Sequence, residues 1–357
     1  MDFEKTDDRR MLADSLDRWL ADAYPIAHRN RVAYEAPFHD PGLWSDLAEL
    51  GILHALVPEE RGGFGGAGFD VLTVFESLGR ALNPEPVLPA LLAARVLMAA
   101  EADLEPLMTG RVRHALAFGE PEAPWDVEAI GTEAAEADGG WTLSGRKSVV
   151  YGAQAADRIL VVARDGDGLS VFAVDADAAG RTDYGLIDGG GASDLFLDGT
   201  PATLVLPDAA EAVRDALDWG RLALCAEAVG AMDAAEDMTL DYMRTRRQFG
   251  RAIGSFQALQ HRAVEMATEI EQARSITILA AAKMGTPEQS RTVSMAKSLI
   301  GRATQLVAEE SVQMQGGIAM TWEYPSSHYA KRLTMIDAQL GDADWHLARV
   351  MAGLQAA

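Results

Sequence analysis

Residues 242–262 read YMRTRRQFGRAIGSFQALQHR, and this segment decides how the rest of the chain is organised. Five of its residues are arginines, in a chain whose 54 acidic side chains outnumber its 31 basic ones. Gly250 and Gly254 interrupt the segment, which predicts a break between two helices. Guanidinium groups beside a helix start are well suited to bind phosphate. The segment therefore predicts a site for an anionic ligand, with a solvated helix face as the alternative.

The residues that follow predict long helices in a bundle. Apolar or small side chains recur at spacings of four and three, at Leu259, Ala263, Met266, Ile270, Ala273, Thr277, Ala280 and Met284. This spacing is typical of a helix that packs lengthwise against another. Thr286 is then expected to cap a second long helix over 287–314, which Gly316 and Gly317 end. A final helix is predicted over 326–354.

The middle of the chain predicts strands. From about residue 116 to 206 the helical period is lost, and short β-rich runs appear between turns rich in Asp and Gly, at 115–118, 141–145, 147–152, 158–164, 169–174 and 202–206. Several short strands with regular turns indicate a small antiparallel barrel or sandwich.

The first third of the chain is again helical by its pattern, over 6–24, 43–57 and 70–82. Five glycines between residues 62 and 68 exclude a helix interior there, and a flexible surface loop is the plain interpretation. The chain thus divides into a helical domain (1–114), a central β domain (115–208) and a helical bundle (209–357). The fold class is α+β, mainly α.

Composition excludes several function classes. A net charge of −23 argues against a protein that coats nucleic acid or an anionic membrane. The single cysteine, Cys225, excludes an internal disulfide and any multi-cysteine metal site, and the seven histidines show no metal-ligand spacing. We therefore predict no metal. The N-terminal residues do not form a secretory signal and no apolar run could span a membrane, so a cytoplasmic protein is expected.

Four motifs in this order resemble the acyl-CoA dehydrogenase family over essentially the whole chain. They are PEExGGxG (58–65), GWxLxGxK (140–147), YxxxRxxFG followed by FQxxQ (242–260), and QxxGG followed by TWEYP (313–325). The resemblance implies an N-terminal helical domain, a central antiparallel β-barrel or sandwich and a C-terminal four-helix bundle.

The resemblance also implies a flavoenzyme that converts an acyl-CoA thioester into a 2-enoyl-CoA. In the family a base removes the α-proton, FAD takes the β-hydrogen as hydride, and an electron-transfer flavoprotein or similar acceptor reoxidises the flavin. By position, the residues that would contact the FAD of a neighbouring subunit are Arg246, Phe249, Gln257, Gln313, Gly316 and Gly317. Asp218 and Arg221 match positions that hold the pantetheine arm of CoA.

The chain departs from the family at its catalytic positions. The two places where the family carries its catalytic glutamate are occupied by Gly220 and Gly341, and glycine cannot accept a proton. The segments that would face this chain's own flavin also differ, at 119–126 and 149–151. Residues that would reach a neighbour's FAD remain.

This uneven loss resembles one subunit of the α2β2 acyl-CoA dehydrogenases of actinobacterial steroid side-chain catabolism, in which the other subunit carries the base. Two alternatives stay open. One is a homomeric enzyme with a relocated base, for which Asp342 is the best candidate and Asp344 and Glu227 are others. The other is a non-enzymatic member that uses the fold for assembly or for acyl-CoA binding.

Overall fold

The computed structural model describes residues 6–137, 139–166 and 168–355, so the expected outer domain limits at residues 1 and 357 lie outside the described residues. The helices are α1 (Asp7–Ala23), α2 (Ile26–Tyr34), α3 (Pro41–Glu49), α4 (Gly68–Arg80), α5 (Val87–Ala99), α6 (Glu105–Met108), α7 (Ala210–Thr245), α8 (Gln257–Lys283), α9 (Gln289–Gln315), α10 (Ser326–Ala338) and α11 (Ala343–Gln355). The strands are β1 (His114–Ala117), β2 (Glu133–Ala137), β3 (Gly140–Tyr151), β4 (Arg158–Asp165), β5 (Gly168–Asp175), β6 (Gly180–Gly185), β7 (Gly191–Leu206), β8 (Arg247–Gln248) and β9 (Arg251–Ala252).

The N-terminal helices follow their local signals. The Thr6 hydroxyl accepts the Arg9 N–H at 3.4 Å to cap α1, and the Asp40 carboxylate accepts the Gly42 N–H at 2.8 Å to cap α3. The helices predicted over 6–24 and 70–82 are present. The helix predicted over 43–57 is shorter, because α3 ends at Glu49 and only a single 3-10 turn, His54–Leu56, follows.

The glycine-rich loop before α4 is packed closely. A Cβ atom at Gly63 would lie 2.0 Å from the Val57 carbonyl oxygen, and one at Gly65 would lie 2.2 Å from that of Ala55. The Gly65 and Gly66 N–H groups donate to Val57 O (3.0 Å) and Ala55 O (2.9 Å). The loop therefore needs glycine for close backbone contact, and flexibility is not its purpose.

The central strands form a closed barrel. Strand β4 pairs with β2 at one edge and with β5 at the other, and β3 and β7 complete the ring; β1 lies beside β4 and β6 beside β7. The barrel is confirmed, but the expectation of purely antiparallel pairing is wrong for β1–β4 and β2–β4, which are parallel. Parallel neighbours need a long connection, and the chain places the β2–β3 hairpin between β1 and β4. Leu143, Val161, Phe172 and Leu195 fill the interior and are fully buried.

Strands β2 and β6 were not predicted, because neither alternates apolar and polar residues. Their sequences are EAAEA and GRTDYG, and most of their side chains are exposed or half-buried. The two predicted runs over 141–152 form one strand, β3, whose register shifts between Lys147 and Val150. Val149 lies at this bulge with a φ of +49° and is 42% exposed.

The C-terminal helices confirm the predicted bundle. Residues of the α8 stripe are buried, namely Ala263, Met266, Ile270, Ala273, Thr277 and Ala280. Helix α9 begins at Gln289, two residues later than predicted, and the Gln289 side chain accepts the Gly285 N–H at 2.8 Å. Gly316, with a φ of +73°, ends α9 as predicted.

The final helix predicted over 326–354 is wrong, because the structure has two helices there. Helix α10 ends at Ala338 and α11 begins at Ala343. Between them Leu340 has a φ of +57° and Gly341 a φ of +108°, which no continuous helix allows. The segment Gln339–Asp342 is called the α10–α11 turn below.

Two compact units emerge from the contacts of the described residues. One contains residues up to Arg29, then Ala67–Asn83, and the chain from Arg221 on; the other contains Asn30–Gly66 and Pro84–Gly220. The division into three domains remains a prediction. Among the described residues, no helix is both long and apolar enough to cross a membrane.

Candidate functional site

The six residues matched to FAD contacts lie at one end of the α8–α9 pair. Arg246, Phe249 and Gln257 belong to the segment that leads into α8, whereas Gln313, Gly316 and Gly317 belong to the end of α9. An ion pair joins these ends: Arg262 Nε lies 2.5 Å and Nη2 2.9 Å from the two Glu310 carboxylate oxygens. All six residues are exposed, so they can contact a molecule outside this chain.

A small hairpin of β8 and β9 presents an aromatic side chain at this end. Phe249 sits at the hairpin tip with a φ of +51° and is 90% exposed. Its ring meets that of Phe256 edge-on at 6.1 Å, and the Arg251 guanidinium lies 4.0 Å from the centre of the Phe256 ring. Burial in this chain does not explain Phe249, and a bound partner surface or ligand would.

The basic cluster at this end is smaller than the sequence indicates. Arg244 pairs with Asp241 at 2.8 Å, and Arg262 pairs with Glu310. Arg246, Arg247 and Arg251 have no carboxylate partner among the described residues. Helix α8 starts directly beside them at Gln257 without a side-chain cap. Unpaired guanidinium groups and uncapped N–H groups together fit the pyrophosphate of a dinucleotide such as FAD.

The glycines that follow α9 leave open space. A Cβ atom at Gly316 or Gly317 would meet no described atom within 4 Å. The preceding residue, Gln315, is buried and donates from Nε2 to the Thr239 hydroxyl at 2.7 Å, which fixes the end of α9 against α7. An anchored helix end with bare backbone beyond it fits close approach of a flat ligand.

The first family position for the catalytic base, Gly341, is closed by aromatic side chains. A Cβ atom at Gly341 would lie 2.6 Å from Trp345 Cε3 and 2.7 Å from His346 Nε2. The φ of +108° also disfavours any other residue. The position thus lacks both a carboxylate and the space for one in this conformation.

The buried side chain of Arg221 supports the α10–α11 turn. Its Nε donates to Leu340 O at 2.9 Å, and its guanidinium lies 5.2 Å from the centre of the Trp345 ring. His346 Nε2 is 3.2 Å from the same carbonyl oxygen. Arg221, predicted to bind CoA, is 2% exposed and packs against this turn.

His346 is kept neutral by its surroundings. Burial, followed by the charges of Arg221 and Lys297, lowers the pKa of the imidazole to about 2. A neutral ring with its proton on Nε2 can donate to Leu340 O, which is the tautomer that the 3.2 Å contact requires. His346 therefore supports the α10–α11 turn from α11 as a neutral hydrogen-bond donor, and it does not gain a proton at neutral pH.

A buried lysine, Lys297, stabilises the end of α10 and was missed by the sequence analysis. Its Nζ donates to Ile336 O at 2.7 Å and to Asp337 O at 3.1 Å, and the side chain is fully buried. Burial lowers the pKa of this ammonium group to about 8. The available signal was its position between Val293 and Ile300 on the buried face of α9.

Two of the three candidates for a relocated base, Asp342 and Glu227, have structural partners. Asp342 Oδ1 accepts the Trp345 N–H at 2.8 Å and caps α11. Glu227 binds Arg332 through both oxygens, at 2.6 and 2.8 Å. Asp344 is exposed in the first turn of α11. Asp218 and Gly220 are both buried on α7, and Gly220 is the second position matched to the family's base.

The barrel segment over 119–126 is built around an ion pair. Lys147 is fully buried, and its Nζ lies 2.7 Å from Glu120 Oε1. Glu120 also accepts the Thr132 hydroxyl at 2.6 Å and the Gly131 N–H at 2.8 Å. Burial lowers the pKa of Lys147 to about 8. Burial by itself would raise the pKa of Glu120, but Lys147 together with the hydrogen bonds from Thr132 and Gly131 lowers it. This ion pair positions the 119–126 segment.

Comparison with known proteins places the chain in a family. Family models for the acyl-CoA dehydrogenase N-terminal, middle and C-terminal domains match residues 6–100, 115–186 and 210–355. The acyl-CoA dehydrogenase IpdE2 of Mycobacterium tuberculosis (strain ATCC 25618 / H37Rv) is 31% identical over 91% of both chains. No group of three or more potential metal ligands occurs among the residues the structure describes.

Two solved structures share the fold of this chain over nearly its whole length. The Tcur3481–Tcur3483 steroid ACAD variant has a TM-score of 0.89 and 30% identity, covering 98% of this chain and 99% of that one. The ChsE4–ChsE5 complex from Mycobacterium tuberculosis has a TM-score of 0.90 and 25% identity over all of both chains. The expected fold class is confirmed.

Proposed function

We propose that this chain, which belongs to the acyl-CoA dehydrogenase family, is the subunit of a heteromeric acyl-CoA dehydrogenase that lacks the catalytic base. FAD is the cofactor of the family, and the reaction is α,β-dehydrogenation of an acyl-CoA thioester to a 2-enoyl-CoA. One observation carries the proposal: Gly341 stands at the base position, and Trp345 and His346 close the space around it.

In the proposed heteromer this chain contributes to cofactor binding and the partner subunit supplies the base. Six residues that are exposed at one end of α8 and α9 would hold a cofactor shared with a partner subunit. They are Arg246, Phe249, Gln257, Gln313, Gly316 and Gly317. When bound, FAD supplies the hydride acceptor for the β-carbon. The general base that removes the α-proton would come from the partner, since Asp342 and Glu227 are engaged in a helix cap and an ion pair and Asp344 is exposed in the first turn of α11.

Exposed apolar surface supports an assembly. On α11 the side chains of Leu347, Met351 and Leu354 are 46%, 53% and 57% exposed and follow a spacing of four and three residues. After α9, Met320 and Trp322 are 72% and 49% exposed. A chain with a net charge of −23 that leaves such faces uncovered is expected to bury them against another subunit.

A steroid side-chain substrate is the proposed acyl group. The supporting observation is that the 30% identical solved relative, Tcur3481–Tcur3483, is called a steroid ACAD. The ChsE4–ChsE5 relative is a complex of two different proteins, which supports a heteromer. Glycine at 220 leaves no side chain on that position of α7, which suits a bulky acyl group. Asp218 and Arg221 are proposed to contribute to thioester binding through α7 and the turn that Arg221 supports.

Co-expression tests the proposal. The chain should be poorly soluble or low in FAD when made alone. Production with a sister acyl-CoA dehydrogenase that carries glutamate at a family base position should give a stable complex with FAD and activity on a steroid side-chain CoA thioester. If the chain alone binds stoichiometric FAD and oxidises an acyl-CoA, it is a homomeric enzyme and the proposal is wrong.

A further inference from the structure

A cavity of about 140 Å³ lies among α1, α4, α7 and α8, and no step proposed above uses it. Five apolar side chains line it, namely Phe69, Leu72, Ala226, Val229 and Ile278. Thr73 and Thr277 also reach it, but their hydroxyl hydrogens are already donated, to Phe69 O at 2.8 Å and to Ala273 O at 2.8 Å. The interior therefore offers contact surface and no free hydroxyl donor.

The cavity is fixed at both ends by backbone contacts. At one end a Cβ atom on Gly230 of α7 would lie 1.9 Å from Glu76 O, so α4 and α7 touch directly. At the other end a Cβ atom on Gly68 would lie 2.2 Å from Ala281 O, so α4 also touches α8. Helices pinned at these crossings cannot close in on the space between them, so the cavity is a permanent part of the packing.

The charges at the mouth are neutralised within the chain. Arg9 Nε lies 2.7 Å from Asp70, and Arg274 lies 2.7 Å from Glu76 and 2.6 Å from Asp233. Arg274 also lies 3.3 Å from Glu271, and Arg80 lies 3.1 Å from Asp233. Four carboxylates thus match three guanidinium groups and leave no net positive charge for an anionic ligand. A fatty acid or another carboxylate would meet repulsion here, whereas a neutral molecule would not.

We propose that this cavity binds a small neutral apolar molecule of about the size of a benzene ring, such as an aromatic ring or a short branched hydrocarbon. An apolar cavity of ~150 Å³ in another protein stays dry and takes up benzene or xenon, which sets the scale. The site is separate from the proposed cofactor contacts, because α4 and the middle of α7 and α8 form it. Ligand binding adds contacts to the native state and so raises its stability.

Thermal unfolding of the full chain, in the assembly in which it is stable, tests the site with benzene as the probe. Benzene should raise Tm in a saturable way, and isothermal titration should give one molecule per chain. Ala226→Leu and Val229→Met, which fill the cavity by different amounts, should lose the response. Ala99→Leu at the exposed end of α5, away from the cavity and from α11, is the matched control and should keep it.

Hexanoate distinguishes a neutral site from a fatty-acid site. It should produce no saturable shift, because its carboxylate meets the acidic mouth. Absence of a saturable benzene effect in the parent chain, an unchanged effect in both filled variants, or binding of hexanoate as tight as that of benzene would each overturn the proposal. The readout is stability and not turnover, so the result is independent of the proposed function.

Discussion

At the scale of single residues, a rigid turn stands where the resemblance places the family's catalytic glutamate. Leu340 O accepts hydrogen bonds from Arg221 and His346, and Lys297 binds the last carbonyl groups of α10. Gly341 is required because its φ is +108° and two rings lie against it. In this conformation the position has no space for a larger side chain.

Substitution of Gly341 should destabilise the protein. Gly341→Ala is expected to cost about 1–3 kcal/mol of unfolding free energy, because a side chain is strained at this φ and meets Trp345. Denaturant unfolding measures the change. Gly353→Ala in α11 is the control: a Cβ there meets no described atom within 4 Å, so it should be neutral or slightly stabilising. Equal effects of both changes would show that the turn is not held as described.

His346 should make the protein sensitive to acid. Its pKa is lowered to about 2 in the folded protein, so below the usual histidine pKa of 6.5 the unfolded chain binds a proton that the folded chain does not. Stability is therefore full above pH 6.5 and falls as pH falls, by up to about 1.4 kcal/mol per unit from this group. His346→Gln should flatten this slope, whereas His261→Gln on the exposed face of α8 should not. An unchanged slope in His346→Gln would contradict the burial of a neutral ring.

Single residues were predictable from the sequence only where a motif marked them. The glycines at 220 and 341 could be matched to the family's two base positions by counting along the chain from its motifs. The residues that hold the end of α10 and the turn after it could not be predicted, because Arg221, Lys297 and His346 are separated along the chain by 40 residues or more and lie on three different helices.

At the scale of elements, the proposed cofactor surface lies at one end of two helices that pack lengthwise. The hairpin of β8 and β9 and the end of α9 lie together because α8 and α9 pack along their buried faces, and the Arg262–Glu310 ion pair lies at the same end. The α8 stripe was predictable, since its 4-3 spacing matches the buried residues. Strands β2 and β6 and the break between α10 and α11 were not, because barrel closure and turn geometry decide them more than local hydrophobicity does.

Removal of the hairpin aromatic side chain should affect the cofactor and not the fold. Phe249→Ala should leave thermal stability of the isolated chain unchanged, because the ring is 90% exposed, yet lower the FAD content of the assembled complex. Flavin absorbance per protein after gel filtration measures this. Met11→Ala, at a 64% exposed site on α1, is the control. Full FAD content in Phe249→Ala would remove this residue from the proposed surface.

At the scale of the whole molecule, the exposed apolar side of α11 is the surface that we propose for assembly. The chain carries −23, but the outward side of α11 presents Leu347, Met351 and Leu354 with no charge among them. Met351→Glu should prevent association with the sister subunit, because an ionised side chain would be buried there. Light scattering of the co-expressed proteins measures the mass. Met11→Glu should still assemble, and assembly of Met351→Glu would place α11 outside the interface.

Single-turnover reduction of the flavin tests the central claim most directly. The heteromer is mixed anaerobically with a steroid side-chain CoA thioester while the visible flavin band is followed. We predict that replacing the sister subunit's catalytic glutamate by glutamine abolishes bleaching, whereas Asp342→Asn and Glu227→Gln in this chain leave its rate within about threefold, less than 1 kcal/mol of barrier. Loss of bleaching in Asp342→Asn, with the sister's substitution tolerated, would show that this chain carries the base and would contradict the account.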